Sequence, residues 1–130
     1  MECINSTAAP AAIGPYSHAV RSGNTLYVSG QIPLDPETGI VTGTDMETQA
    51  DQALKNLRAV VEAAGLSVEA IVKTTVYLSD LTLFDQLNTV YARFMGDHKP
   101  ARVCVEVARL PKDVMVEIDA IATFGSGLSG

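Results

Sequence analysis

Between Pro100 and Ile121 the chain reads PARVCVEVARLPKDVMVEIDAI, and chemistry-bearing side chains recur there at every second position: Arg102, Cys104 and Glu106, then Glu117 and Asp119. A guanidinium can hold a carboxylate by two parallel hydrogen bonds, with a geometry no other side chain matches. A nearby carboxylate can orient or deprotonate a water molecule. Side by side, such groups could bind a small acid and direct water at it. A plainer assignment is a cross-strand ion pair of Arg102 with Glu117 or Asp119, which needs no ligand. Pattern alone leaves both open.

Alternation implies strands. In 101–109, Val103, Val105 and Val107 share one face, and Arg102, Cys104 and Glu106 the other. In 113–124, Val114, Val116, Ile118, Ala120 and Ala122 share a face, opposite Met115, Glu117, Asp119, Ile121 and Thr123. The two runs read as a β-hairpin turning near Leu110-Pro111-Lys112. Pairing valines with valines sets its parity, since a one-residue slip would bury the charges. Cys104 then lies opposite Glu117, and Arg102 near Asp119. The valine face is expected to take the helices. The other face mixes charges with Met115, Ile121 and Cys104, and is expected to be hidden against further copies of the chain.

The rest of the chain must position these strands. SHAVRSGNTLYVSGQI reads as two strands joined at Ser22-Gly23-Asn24, and Asp35-Pro36-Glu37-Thr38-Gly39 as a turn. Thr44-Asp45-Met46-Glu47 fits a capping box. Apolar residues from Met46 to Ala64 follow at helical spacing, and Gly65 is a natural stop. IVKTTVYLS, 71–79, is β-branched. A second helix is expected from an Asp80 cap to about Gly96, with a stripe of Phe84, Leu87, Asn88, Tyr91 and Phe94 or Met95. The order is β-β-α-β-α-β-β: an α+β fold, a mixed sheet with two helices on one face. One domain is expected over 1–130, with its core at about 5–124 and a flexible small-residue tail at 125–130.

Composition narrows the function. The 130 residues are 47% apolar and carry a formal charge of −6, with a mean hydropathy of +0.18. No basic stripe offers itself to phosphates, so nucleic acid is not an expected partner. No run is long enough to span a membrane, and no basic, then apolar, leader opens the chain. Cys3 and Cys104 have no CxxC spacing and read as free thiols in a reducing compartment. Neither His18 nor His98 makes a motif with Cys104, and two His and two Cys without ligand spacing make no metal site.

AAIGPYSHAV (11–20), YVSGQIPLDPETG (27–39), VKTTVYLSDL (72–81) and PARVCVEVARLPKDVMVEIDAIA (100–122) closely resemble the Rid family, the reactive intermediate deaminases formerly called YjgF. The likeness runs from about Asn5 to Phe124, and Arg102, Cys104 and Glu117 look like the RidA branch. It implies a chorismate-mutase-like fold and a homotrimer with a central barrel and clefts between subunits. It also implies hydrolysis of 2-iminopropanoate and 2-iminobutanoate, formed from 2-aminoacrylate-type enamines, to 2-keto acid and ammonia. No cofactor, metal, nucleic acid or membrane is implied, and the expected location is cytoplasmic, or mitochondrial in a eukaryote.

Carried over residue by residue, Arg102 grips the substrate carboxylate, and the Cys104 backbone N–H helps hold it. Glu117 activates water. Tyr16, Ser29 and Gly30 line the cleft, Asn88 reaches it from the second helix, and Phe84 supplies apolar wall. Lys99 departs from the family, standing where an aromatic is common. Two other functions remain. One is a non-catalytic module that binds a small carboxylate such as 2-ketobutyrate. The other is the ribonuclease or translation-inhibitor activity attached to some relatives, which the acidic charge disfavours.

Overall fold

The structure is a computed structural model that describes residues 1–125. From Ser126 onward the expected flexible tail lies outside the described residues. Six strands form one sheet: β1 (Glu2–Ile4), β2 (Ala19–Ser22), β3 (Thr25–Gln31), β4 (Ile71–Leu78), β5 (Ala101–Glu106) and β6 (Val116–Thr123). The α-helices among the described residues are α1 (Met46–Ala63) and α2 (Phe84–Met95). The sheet order is β1-β2-β3-β6-β4-β5, and β4 with β5 is its parallel pair. The fold is thus the expected α+β sandwich, with β1 as an addition. That strand is three residues long and pairs only with β2, too short to carry an alternation signal.

Each helix forms where its apolar stripe can be buried. On α1, Ala50, Ala53, Leu54, Leu57, Val60 and Val61 are fully buried. They join Leu87, Val90, Tyr91 and Met95 of α2 over Leu26, Val76, Leu78, Val116 and Ile118 of the sheet. The cap of α1 falls one residue later than the capping box suggests. Asp45, in extended backbone, accepts from Thr48 N–H at 2.7 Å, which leaves Met46 as the first helical residue with its side chain buried. Asp80 caps a short 3₁₀ turn, Leu81–Leu83, that leads into α2.

The expected hairpin does not exist. β4 lies between β5 and β6 and pairs with both. β5 returns parallel to β4 through α2, the helical crossover that a parallel pair requires. The 107–115 connection wraps the end of β4 instead of closing a tight turn. Val107 N–H donates to Leu78 O at 2.9 Å, and Ser79 N–H to Met115 O at 3.0 Å. Cys104 therefore pairs with Val76, not Glu117, and Arg102 with Thr74, not near Asp119.

The face of β5 is reversed as well. Thr74 and Val76 are buried on the helix side, so their register partners Arg102 and Cys104 lie there too. Val103 and Val105 stand on the other face, 43% and 38% exposed beside Thr75 and Tyr77. For β6 the expected faces hold: Val116, Ile118, Ala120 and Ala122 are buried, and Glu117, Asp119 and Ile121 lie on the opposite face. That open face also carries Tyr27, so it mixes apolar and charged groups, although Cys104 is not among them.

Candidate functional site

Arg102 sits on the edge strand β5, under α2. Its Nη1 donates to Asn88 Oδ1 at 2.7 Å. The guanidinium lies 4.8 Å from the centre of the Tyr91 ring and 5.4 Å from that of Phe84. Two aromatic faces and one neutral amide oxygen hold its plane in place without neutralising it. Among the described residues no carboxylate lies within ion-pair distance of it; the ion pairs there are Lys55–Asp51 and Arg109–Asp113. The cross-strand pair with Glu117 or Asp119 is thereby replaced by an aromatic seat. Tyr91 is itself fixed, sharing a 2.7 Å hydrogen bond with Thr74 Oγ1. A cavity of about 530 Å³ opens beside Arg102, bordered by Asn88, Tyr91 and Lys99.

Cys104 follows two residues on, half-buried against the core. Burial pushes its thiol above the ordinary value, and the Arg102 charge opposes this only in part. The group is a protonated thiol at neutral pH and no nucleophile. Both histidines are engaged by backbone, although His98 also borders the Arg102 cavity. His18 Nδ1 accepts from Ser6 N–H at 2.9 Å while its Nε2 donates to Pro10 O at 2.6 Å. His98 Nε2 lies 2.7 Å from Ile71 O.

Glu117 occupies the other face of the sheet, where β3 bulges. Val28 pairs with Ala120 and Gln31 with Ile118, so Ser29 and Gly30 together oppose the single residue Asp119. The bulge brings Gly30 against the Glu117 carboxylate, and a Cβ at position 30 would overlap it. Ser29 is used as a fastener: its Oγ donates to Ser17 O at 2.7 Å and its N–H to His18 O at 2.9 Å. This ties the 12–17 segment, with Tyr16, to the bulge. Tyr16, Ser29, Gly30, Ile32, Pro111 and Glu117 border an open cavity of about 410 Å³.

Burial first, and then the neighbouring Asp119 charge, raise the pKa of Glu117 above the usual carboxylate range. Asp119 accepts a 3.0 Å hydrogen bond from the Tyr77 hydroxyl, whose own proton is held more tightly by burial and by that carboxylate.

The expected site residues thus fall into two groups. Arg102, Cys104, Asn88 and Phe84 converge on the helix side of β5. Tyr16, Ser29, Gly30 and Glu117 converge on the bulge side of β3 and β6. Within one chain the sheet separates them. Three residues of these groups were not singled out from sequence. Tyr91 belongs to the α2 stripe and reads there as core. Ile32 and Pro111 follow a strand and open a turn, and carry no local signal for a cavity wall.

Residues 6–124 match the family model described as endoribonuclease L-PSP, and the chain belongs to that family. A RutC family protein of Pyrococcus horikoshii is 52% identical over 121 residues, 93% of this chain and 96% of that protein. The 2-iminobutanoate/2-iminopropanoate deaminase of Salmonella typhimurium is 56% identical over 117 residues, 88% of this chain and 91% of its own. The solved structure of the Escherichia coli YjgF gene product superposes with a TM-score of 0.90 at 52% identity, covering 95% of this chain and 98% of that one. The resemblance to the Rid proteins holds for sequence and fold alike. No helix among the described residues is long and apolar enough to cross a membrane.

Proposed function

We propose that this protein hydrolyses small 2-imino acids, such as 2-iminopropanoate and 2-iminobutanoate, to 2-keto acids and ammonia, in clefts between the copies of a homotrimer. The observation that carries this is Arg102, a guanidinium seated between two aromatic rings and the Asn88 amide at a sheet edge, with no counter-carboxylate among the described residues. A cation so placed suits the carboxylate of a small ligand. Glu117 is the complementary group, a carboxylate of raised basicity in a cavity with Tyr16 and Gly30. Because the sheet separates the two groups, the site needs a second copy, whose bulge cavity faces the first copy's β5 edge.

In this mechanism Arg102 and the Cys104 backbone N–H hold the substrate carboxylate. Glu117 takes a proton from water as the water oxygen bonds to the imine carbon, and the C=N electron pair moves to nitrogen. The proton then passes from Glu117 to the amine nitrogen. The resulting carbinolamine gives its hydroxyl proton to the same nitrogen by way of Glu117, the C–N bond breaks, and ammonia leaves as the C=O bond forms. The net change is imino acid plus water to keto acid plus ammonia. Imines hydrolyse readily in water, so positioning and one base suffice. The salmonella relative's name supports the same reaction.

A binding module for small carboxylates is the second reading. It is favoured by the separation of Arg102 from Glu117 in one chain, since binding requires the cation alone. An endoribonuclease, the activity in the family description, is disfavoured by the net charge of −6. One assay separates them: keto-acid release from imines generated by an amino-acid oxidase, with semicarbazide trapping whatever is not hydrolysed. Acceleration over buffer is expected. A protein that binds 2-ketobutyrate yet never accelerates hydrolysis is the binding module.

A further inference from the structure

The bulge cavity has a neighbour. A second chamber, of about 330 Å³, shares Tyr16, Gly30, Ile32 and Pro111 with the Glu117 cavity and extends beyond them to Ala11, Ile13 and Leu34. A water molecule takes about 30 Å³ of liquid, so the chamber far exceeds what the methyl group of a three-carbon acid fills. Its buried polar side chains, His18 and Gln31, are engaged by backbone, and the exposed Tyr16 and Lys112 stand at its border. His18 uses both ring nitrogens, and Gln31 donates Nε2 to Ser29 O at 3.1 Å. Lys112, at the border, is exposed. What remains for a guest is chiefly aliphatic wall: Ile13, Ile32, Leu34 and the two prolines, Pro10 and Pro111.

We infer that this chamber receives the side chain of the substrate, and that the preferred 2-imino acids carry a branched or extended aliphatic side chain of three or more carbons. The inference rests on the proposed function for the placement of the other two ends. Arg102 fixes the carboxylate, and the imine carbon must come within reach of water held by Glu117. The third substituent of that carbon then points along the border that the two cavities share. An aliphatic group entering there leaves no buried polar group unsatisfied, whereas a charged or amide side chain passing the border groups Tyr16 and Lys112 would lie against aliphatic wall. Each methylene removed from water into such a wall is worth roughly four- to tenfold in specificity.

The test compares imines derived from alanine and leucine, each as kcat/KM divided by its rate in buffer, on wild type and Ala11→Trp. Ala11 is exposed at the chamber wall, so the larger side chain fills the chamber without touching the core. The leucine-derived imine is expected to be favoured by about tenfold or more in the wild type. In Ala11→Trp that ratio is expected to collapse toward one. Turnover of both imines with a ratio near one, or a ratio unmoved by the substitution, overturns the chamber and leaves the deaminase intact. Absence of all turnover overturns the deaminase, and calorimetry then decides the chamber alone. Tighter binding of 4-methyl-2-oxopentanoate than of pyruvate, lost in Ala11→Trp, upholds it, and equal binding overturns it.

Discussion

Glu117 carries a conflict that chemistry can use. Its carboxylate is half-buried, lies against Gly30, and shares a face with Asp119. Both burial and the neighbouring charge favour the protonated form, so its pKa in the folded protein lies above that in the unfolded chain. A carboxyl raised in this way favours the folded state most where it is protonated, and that contribution is lost as pH rises through the raised value. Glu117→Gln removes the ionisation and keeps the shape. At pH 7 the variant is expected to melt higher than the wild type, with the gap closing toward about pH 4, near the unperturbed carboxyl value. Its enzymatic rate is expected to fall about a hundredfold or less, because imines react unaided. In the wild type, kcat/KM should decline on the acid side with a midpoint above the ordinary carboxylate range, and the glutamine variant should lack that limb. A variant that keeps both rate and limb assigns the proton transfer to another group. Gly30→Ala tests the same carboxylate from its other side. The new methyl group must displace the flexible end of Glu117, not backbone, so the fold should survive and turnover should drop. Undiminished turnover would show that the carboxylate need not sit where the bulge puts it.

At the scale of elements, the loops that frame the cavities are held by a few buried polar side chains. Asn56 on α1 is 1% exposed, and its Nδ2 donates to Ile32 O and Leu34 O, both at 3.0 Å. Asn56→Ala leaves two carbonyls without their donor, at a cost of about 1–3 kcal/mol. Thermal melting should register this as a fall of several degrees, with weakened ligand binding beside Ile32; an unchanged melting temperature would mean that solvent replaces the amide freely. The helices that carry such residues were legible because an amphipathic stripe admits one buried side. β6 was legible for the same reason, since Glu117 and Asp119 could not join its valine face. β5 was not. Its valines alternate with Arg102 and Cys104, but the open face of this sheet is itself partly apolar, so alternation could not say which side meets the helices. The aromatic seat on α2 decided the matter, because it stabilises Arg102 on the side where a valine was expected. The hairpin failed at the same strand. Two neighbouring runs joined by a proline turn ordinarily pair, and only the crossover through α2 lets β4 come between them. Proximity of Arg102 to Glu117 was inferred from that hairpin, so it was lost with it. The family resemblance named these residues as lining one cleft, and their division between two faces of the sheet came from the structure.

At the scale of the whole molecule, the open sheet face and the split site make one argument. Tyr27, Val103, Val105 and Ile121 on a sheet otherwise covered by helices leave apolar surface that association would bury. The proposed trimer would cover it and would also bring the Arg102 group of one chain to the Glu117 group of the next. Light scattering should therefore give three times the 13.7 kDa chain mass. The decisive experiment uses two crippled proteins. Arg102→Ala loses the proposed carboxylate grip, expected to cost about 2–5 kcal/mol of ligand binding. Glu117→Gln loses the proposed base. Arg102→Ala empties the seat beside Tyr91 but removes no apolar core side chain, and Glu117→Gln keeps its shape, so each should assemble alone into a trimer of low activity. Co-expressed, the two chains form mixed trimers. In a cyclic trimer each mixed assembly has one cleft where a native Arg102 meets a native Glu117, so equal mixing should restore about a quarter of the wild-type activity. If Arg102 and Glu117 served one site within a single chain, mixing would restore nothing beyond the average of the two variants. That outcome, or a monomer mass in solution, would overturn the intersubunit cleft and with it the mechanism that joins a cation on one face of the sheet to a base on the other.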